Sequence, residues 1–196
     1  PEAVAAQTIV LGYNDLAAVQ AAFDAHPGRI AAVITEAAGA NAGVLAPRAE
    51  FNAGLVRMAH QAGALVILDE VLTGFRVGPA GWWGLEASGV TGSTDWQPDL
   101  MTFGKVIGGG MPLGAFVSRP EIMQTLQENP VLGHITTFGG HPVCCAAGLA
   151  ALNYLLDHHV VEQVEAKGAL YERLLEDHPA VREIRRSGLL LAVELG

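Results

Sequence analysis

The chain has 196 residues, of which 51% are hydrophobic and 16% are charged, a composition that suits a single domain, or most of one, with a sizeable core. Its formal net charge of -9 argues against a surface that binds nucleic acid or an anionic membrane, because such surfaces are basic. Apolar runs stay well short of the roughly 20 residues that cross a bilayer. We therefore expect a small-molecule ligand, with no nucleic acid and no membrane as partner.

The N-terminal part of the chain predicts one helix followed by one strand. Asn14 or Asp15 can cap a helix over 17–25, which ends at a His-Pro-Gly sequence. The apolar run 30–35 predicts a buried strand that leads into Glu36. Together these segments form one unit of an α/β fold.

A second unit of the same kind follows. Pro47 predicts the start of a helix that closes at Gly63, and the run 64–68 predicts a strand that leads into Asp69. Continuous apolar strands separated by amphipathic helices are typical of an α/β fold with a mostly parallel sheet and helices on both faces. Ligands of such folds bind beyond the carboxyl ends of the strands, where Glu36 and Asp69 fall.

The remaining elements are mainly helical. The pattern predicts a strand over 113–117 and helices over 120–127, 142–156 and 161–175, with a loop over 78–97 that contains Trp82 and Trp83. We expect residues 1–180 to belong to one large domain and residues 181–196 to begin a smaller C-terminal domain. Because the chain opens without methionine and stops inside a predicted strand, we expect a fragment truncated at both ends.

The two cysteines indicate the redox setting. Cys144 and Cys145 are adjacent in a segment that we predict to be helical. Neighbouring side chains on a helix point apart, so an ordinary disulfide does not join them. The sequence therefore predicts a reducing, cytoplasmic location.

Lys105 and Asp69 are the strongest candidates for chemistry. Lys105 lies in the glycine-rich segment TFGKVIGGG over 102–110, and Asp69 ends the apolar run ALVILD. A lysine that bonds covalently to pyridoxal phosphate (PLP) needs an amine that is partly uncharged. A pyridoxal ring that acts as an electron sink needs a carboxylate to hold its nitrogen protonated. The two residues could serve these two roles.

Each residue also has a simpler interpretation. Asp69 could cap the strand end, or it could bind magnesium in a nucleotide hydrolase, but that class needs the phosphate loop G-x-x-x-x-G-K-[ST]. The loop is absent from the sequence, where Val106 follows Lys105. Lys105 alone could be an ordinary surface lysine. His158 and His159 are more typical of a solvated helix end than of a metal site, so we expect no metal.

From about residue 8 to residue 196 the chain resembles the middle of a class III, fold-type I PLP-dependent aminotransferase. The resemblance implies that Asp69 pairs with the pyridine nitrogen, that Val71 packs on the ring face and that Lys105 bonds to the cofactor and moves protons as general base and acid. It implies that Thr137 reaches the cofactor phosphate of the other subunit, and therefore a homodimer. Glu36 resembles a glutamate near cofactor and substrate, although pairing with an arginine is an equally good role.

The two halves of the chain resemble different branches of this family. The first half, including the run DEVLTGFRV over 69–77, is similar to glutamate-1-semialdehyde 2,1-aminomutases, which form 5-aminolevulinate for tetrapyrrole synthesis. The segment TTFGGHP over 136–142 is more similar to acetylornithine and ω-amino acid transaminases, which use 2-oxoglutarate. The resemblance implies an aminomutase or a transaminase, and a third hypothesis is that the fragment alone is inactive.

Overall fold

The computed structural model describes residues 1–87, 96–128 and 136–196. The helices in these ranges are α1 (Glu2–Ala5), α2 (Leu16–Ala25), α3 (Phe51–Gln61), α4 (Gly81–Ala87), α5 (Pro120–Met123), α6 (Pro142–Asp157) and α7 (Val164–Leu175). The strands are β1 (Ala32–Glu36), β2 (Leu65–Asp69), β3 (Leu100–Phe103), β4 (Ala115–Ser118), β5 (Val181–Ser187) and β6 (Leu190–Leu195). Short 3-10 helices cover Lys105–Gly108, Gln124–Gln127 and Val161–Gln163.

The main sheet has the strand order β1-β2-β3-β4. The first three strands are parallel, and β4 runs antiparallel to β3. Parallel strands need long crossover connections, which α3 provides between β1 and β2. The predicted mixed α/β architecture with a mostly parallel sheet is therefore present, and the carboxyl ends of β1, β2 and β3 meet at one edge.

One face of this sheet carries the hydrophobic core. Val66 and Leu68 of β2 are 0% and 1% exposed and belong to the same buried cluster as residues of α2 and α3. Because side chains alternate along a strand, Ile34, which pairs with Ile67, lies on the other face and is 66% exposed. Within the described ranges, helices α2 and α3 thus cover the Val66 face.

The helix starts show where local signals decided the structure. The Asp15 side chain caps α2 by accepting a hydrogen bond from the Ala18 amide at 2.9 Å, as one of the two predicted caps. The prediction that Pro47 opens the second helix is wrong, because α3 begins at Phe51 after Glu50, which has a left-handed φ of 65°. The four residues 47–50 therefore precede the helix, although Pro47 is a typical first residue of a helix.

The segment between β2 and β4 contains one helix and one strand that were not predicted. The predicted loop over 78–97 contains helix α4, which carries Trp82 and Trp83, while residues 88–95 lie outside the described part. Strand β3 was not predicted, because its four residues follow Asp99 and form too short a run to give an alternation pattern. Both elements are fixed by contacts with distant segments rather than by their own sequences.

A buried aspartate closes the amino end of the sheet. Asp99 is 3% exposed and accepts a hydrogen bond from the Val66 amide at 2.8 Å. Its two oxygens also contact His60 Nε2 at 2.8 Å and an Arg119 guanidinium nitrogen at 2.7 Å. A buried carboxylate needs such partners to offset its lost hydration. The pairing locks β2, β3 and the residue after β4 together at the end opposite Glu36 and Asp69.

The C-terminal strands β5 and β6 form a separate antiparallel hairpin. Leu190 of this hairpin is 5% exposed and belongs to the main hydrophobic cluster. The Leu189 amide also donates a hydrogen bond to the Arg76 carbonyl at 2.9 Å. The hairpin therefore packs on the segment that follows β2.

Candidate active site

Three polar residues line up at the carboxyl edge of the sheet. Glu36 of β1 pairs in register with Asp69 of β2, and Asp69 pairs with Thr102 of β3. Neighbouring strands lie about 4.8 Å apart, and residues paired in register share a face, so the three side chains form one row. Ile34 lies on this same face of the sheet, two residues before Glu36.

Most of the predicted site residues surround one cavity at this edge. Its walls include Glu36, Asp69, Val71 and Lys105, together with Ala38, Asn41, Leu72 and Thr73. The cavity holds about 60 Å³, whereas pockets for drug-sized ligands measure roughly 300–1,000 Å³. The cavity among the described residues is therefore several times smaller than such a pocket. Asn41 and Thr73 had not been singled out, because nothing in the sequence separates them from other loop residues.

Asp69 has one oxygen engaged and one available. Its Oδ1 accepts a hydrogen bond from the Val71 amide at 2.8 Å, which fixes the carboxylate relative to the turn after β2. Its Oδ2 makes no hydrogen bond to any described residue. The carboxylate is thus oriented by the backbone that follows it, and it retains one acceptor oxygen in a residue that lines the cavity.

Lys105 follows directly after the end of β3 and starts the 3-10 helix. Its φ of 47° lies in the left-handed region, which is strained for a residue with a side chain and is often found at functional sites. The residue is exposed, and within the described ranges its amine forms no ion pair. Lys105 therefore lines the same cavity as Asp69, and its amine is without an ion-pair partner among the described residues.

The turn after Lys105 is held in place by helix α6. A Cβ on Gly109 would lie 2.9 Å from the Ala147 carbonyl oxygen, and Gly109 has a φ of 58°. Only glycine combines this backbone conformation with so close an approach. Packing against α6 therefore explains why glycine stands at position 109.

Glu36 interacts mainly with its own loop. Its Oε2 accepts a hydrogen bond from the Ala40 amide at 2.8 Å. Among the ion pairs of the described residues, none joins Glu36 to an arginine such as Arg76. The residue lies at the cavity, as expected from its place at a strand end, and it closes the loop that forms one wall.

Thr137 lies apart from this cavity. It belongs to an exposed turn over 137–140 that precedes α6, and Phe138 beside it is 77% exposed. The structure therefore does not bring Thr137 together with Asp69 and Lys105 within one chain. His134, which precedes this turn in sequence, lies outside the described residues.

Glu70 is a feature of the site that sequence analysis missed. It is 1% exposed, and its carboxylate accepts hydrogen bonds from the Trp82 amide at 3.0 Å, the Trp83 amide at 2.8 Å and the Thr73 hydroxyl. Burial raises the pKa of this carboxyl, and the three hydrogen bonds oppose that rise. Glu70 thereby attaches the first turn of α4 to the back of the segment that carries Asp69 and Thr73.

A second buried glutamate extends this connection. Glu86 of α4 accepts hydrogen bonds from Trp82 Nε1 and from Asn52 Nδ2 of α3, both at 2.9 Å. Burial raises the pKa of the Glu86 carboxyl, with hydrogen bonds from Trp82 and Asn52 lowering it. The two glutamates link β2, α4 and α3 into one network behind the cavity.

A larger cavity of about 370 Å³ lies on the other side of the 3-10 helix, against α6. Its walls are alanine, valine, glycine and leucine, with Tyr154 as the one ionisable residue. It therefore offers little for chemistry, in contrast to the smaller cavity. In the part of the chain that the structure describes, no cluster of three metal-binding side chains occurs, and no helix is both long and apolar enough to cross a bilayer.

The sequence of this chain is similar to that of curated enzymes. It is 44% identical over 179 residues to glutamate-1-semialdehyde 2,1-aminomutase of Tropheryma whipplei, in strain Twist and equally in strain TW08/27. The match covers 84% of this chain and 38% of each relative. The chain thus spans well under half the length of these relatives.

Solved aminotransferase structures share the fold. Ornithine aminotransferase from Toxoplasma gondii superposes with a TM-score of 0.78 at 28% identity, covering 96% of this chain and 43% of that one. The (S)-enantioselective ω-transaminase from Thermomicrobium roseum gives 0.77 at 34% identity, with 92% and 40% covered. Taurine:2-oxoglutarate aminotransferase from Bifidobacterium kashiwanohense, in complex with PLP and glutamate, gives 0.76 at 32% identity, with 92% and 40% covered.

These similarities confirm the predicted fold class and the predicted family. The family model described as aminotransferase class-III matches residues 3–196, which is almost the whole chain. The chain therefore belongs to the class-III aminotransferases, enzymes that depend on pyridoxal phosphate.

Proposed function

We propose that the full enzyme containing this chain transfers an amino group with PLP held between Asp69 and Lys105. The observation that carries this proposal is that Lys105 and Asp69 line the same cavity, while the Lys105 amine and one Asp69 oxygen have no partner among the described residues. This donor set fits the cofactor, because PLP needs an amine that bonds to its aldehyde and an acid beside its ring nitrogen. When bound, PLP acts as an electron sink for the electrons left on the substrate carbon.

The residues of this chain have separate roles in the proposal. Asp69, fixed by the Val71 amide, holds a proton at the ring nitrogen, and the Val71 side chain packs on the ring face. Lys105 removes a proton from the substrate carbon and returns one, as general base and acid. Glu36 faces cofactor and substrate from β1.

Thr137 has its role in a homodimer. We propose that its hydroxyl binds the cofactor phosphate of the other subunit, because the turn over 137–140 is exposed and lies apart from the cavity of its own chain. A small-molecule substrate, a cytoplasmic location and a small domain that starts near residue 181 complete the proposal. The isolated segment over 1–196 should bind PLP weakly, because the cavity that contains Asp69 and Lys105 is small.

We further propose that the reaction is that of glutamate-1-semialdehyde 2,1-aminomutase, which forms 5-aminolevulinate. The support is the 44% identity to the Tropheryma whipplei aminomutase, which exceeds the 28–34% identity to the ornithine, ω-amine and taurine aminotransferases. In an aminomutase the aldehyde carbon of the substrate gains an amine from the pyridoxamine form of the enzyme, and the neighbouring carbon of the same molecule gives its amine back to the enzyme. No external amino donor or keto acid therefore enters.

A transaminase is the second candidate. The observation that favours it is the segment TTFGGHP over 136–142, which resembles acetylornithine and ω-amino acid transaminases. The solved structures with a shared fold point the same way, since they are ornithine and ω-amine enzymes. This reaction uses the same residues but requires an amino donor and a keto acid such as 2-oxoglutarate.

One experiment separates the two reactions. The full-length enzyme, converted to its pyridoxamine form, receives glutamate-1-semialdehyde without any amino donor or keto acid, and 5-aminolevulinate is measured. We expect many turnovers per active site. A single turnover or no product, with activity only when an ω-amine and 2-oxoglutarate are both present, would replace the aminomutase by the transaminase.

A further inference from the structure

The loop over 37–45 forms one wall of the cavity through Ala38 and Asn41. Its ends are joined by two hydrogen bonds of 2.8 Å between the backbones of Gly39 and Leu45. The loop contains Val44 with a φ of 56°, a left-handed conformation that is unfavourable for a β-branched residue. Such a conformation persists only where surrounding contacts hold it. The loop therefore depends on contacts from outside its own sequence.

The C-terminal hairpin supplies one of these contacts. Arg185 of β5 donates a hydrogen bond from Nε to the Gly43 carbonyl at 2.7 Å, across 142 residues of sequence. A Cβ on Gly43 would lie 3.1 Å from the Arg185 guanidinium, and its φ of 99° also favours glycine. The guanidinium and the loop backbone thus fit closely against each other.

The guanidinium is itself held by two carboxylates. Arg185 Nη1 lies 2.7 Å from Glu183 Oε2 and 3.0 Å from Glu194 Oε2. Glu183 lies on β5 and Glu194 lies on β6. The planar guanidinium holds five N–H donors in a rigid fork and so meets several acceptors in fixed directions, whereas an ammonium group is a compact charge with three rotatable donors. Contacts within the hairpin therefore orient the Arg185 guanidinium that donates to the Gly43 carbonyl.

The hairpin is in turn fixed to the rest of the chain. Arg186 pairs with Glu165 at 2.8 Å and with Glu172 at 2.9 Å on α7, and Leu190 is buried in the main cluster. The Leu189 amide bonds to the carbonyl of Arg76, which follows the segment that carries Asp69. The hairpin thus spans from the segment after β2 to the loop after β1.

We propose that Arg185 is a positioning residue that holds the loop over 37–45 against the PLP site. The loop contacts the site at two points. Asn41 lies in the cavity wall, and the Ala40 amide donates a hydrogen bond to Glu36 Oε2. Movement of Gly43 disturbs both, because the Gly43 and Val44 amides donate to the Ala40 carbonyl at 3.1 Å and 3.0 Å. This inference rests on the proposed function for the identity of the ligand, although the coupling itself is structural.

The test compares Arg185→Gln with Arg182→Gln in the full-length enzyme. Arg182 is a matched control, because it lies on the same strand and pairs with the same Glu194 at 3.3 Å, yet its side chain is 72% exposed. Hydrogen exchange of the loop amides, followed by mass spectrometry of the apoenzyme, reports the coupling. Titration of the apoenzyme with PLP, followed by protein fluorescence, reports the site.

We expect Arg185→Gln to speed exchange of the Ala40, Gly43, Val44 and Leu45 amides about tenfold, the scale of one lost charge-assisted hydrogen bond. The dissociation constant of PLP should rise by a similar factor, while Arg182→Gln changes neither. Unchanged exchange in Arg185→Gln would overturn the coupling. Failure of the wild-type enzyme to bind PLP would overturn the proposed function instead, and the exchange result would still decide the coupling.

A second variant covers the case in which Arg185→Gln does not fold. Arg185→Lys keeps a positive charge between Glu183 and Glu194, but its single nitrogen replaces the two guanidinium nitrogens that separately contact the Gly43 carbonyl and the two carboxylates. We expect faster loop exchange at an unchanged melting temperature. Exchange at the wild-type rate in Arg185→Lys would show that the bond to the Gly43 carbonyl does not hold the loop, and would overturn the proposal.

Discussion

Replacing Glu70 by alanine should release helix α4 from the back of the active site. The carboxylate now accepts from the Trp82 and Trp83 amides at 3.0 Å and 2.8 Å. These amides lie in the first turn of α4, where backbone donors have no acceptor within the helix. Glu70→Ala therefore leaves two backbone donors and the Thr73 hydroxyl without their acceptor.

The size of the effect follows from these contacts. Each buried donor left unsatisfied costs about 1–3 kcal/mol, so the two amides together cost about 2–6 kcal/mol. Removing the carboxylate also removes the desolvation that raises the pKa of Glu70, which offsets part of this loss. We expect a net loss of about 3 kcal/mol in the local stability of α4, or roughly 100-fold faster amide exchange.

Hydrogen exchange of the full-length enzyme can measure this change in a peptide that covers Gly81–Ala87. Glu70→Gln is the graded control, because its single oxygen can still accept from Trp82 while its amide nitrogen faces Trp83. We expect about tenfold faster exchange in that variant, the scale of one lost hydrogen bond. Exchange of α4 at the wild-type rate in Glu70→Ala would refute the idea that this carboxylate anchors the helix.

Three further predictions concern the site and its support. Lys105→Ala should abolish the absorbance of the covalent lysine–cofactor bond and its labelling by borohydride, and unchanged spectra would remove Lys105 from this role. Asp69→Asn should keep the hydrogen bond to the Val71 amide and the bound cofactor, but slow turnover by about 10²–10⁴-fold, the scale of acid–base catalysis; near-normal turnover would contradict the pairing. Because the folded-state pKa of Glu86 is raised, its stabilising contribution is present below the ordinary glutamate value and is lost as pH rises through the raised value. Glu86→Gln should therefore flatten the dependence of melting temperature on pH above that ordinary value, and an unchanged slope would count against this assignment.

Local patterns were sufficient to predict the elements that form the sheet and its edge. The apolar runs before Glu36 and Asp69 became β1 and β2, and both acids lie at the carboxyl end, as parallel strands require. Helix α6 was also predicted to within one residue at its C-terminal end. These segments carry a period and a clear boundary signal of their own.

The features that escaped prediction depend on contacts between distant segments. At the start of helix α4 the Trp82 and Trp83 amides donate hydrogen bonds to Glu70. No pattern within Gly81–Ala87 indicates that a distant carboxylate accepts these bonds. The left-handed φ of Lys105 likewise has no signal in the sequence, because lysine has no preference for this conformation. Sequence motifs located the chemical groups, while tertiary contacts determined their conformation.

The adjacency of Asp69 and Glu70 makes strand register a determinant of which acid lines the cavity. Successive residues of a strand face opposite sides, so the two neighbouring acids have opposite surroundings, one at the cavity and one in the protein interior. Deleting one residue from β2 would move Glu70 to the position opposite Glu36 and Thr102, and would leave the Trp82 amide without its acceptor. An acid would still line the cavity, but one deletion would remove both the Asp69 position in which we propose that the cofactor is held and the carboxylate that anchors α4.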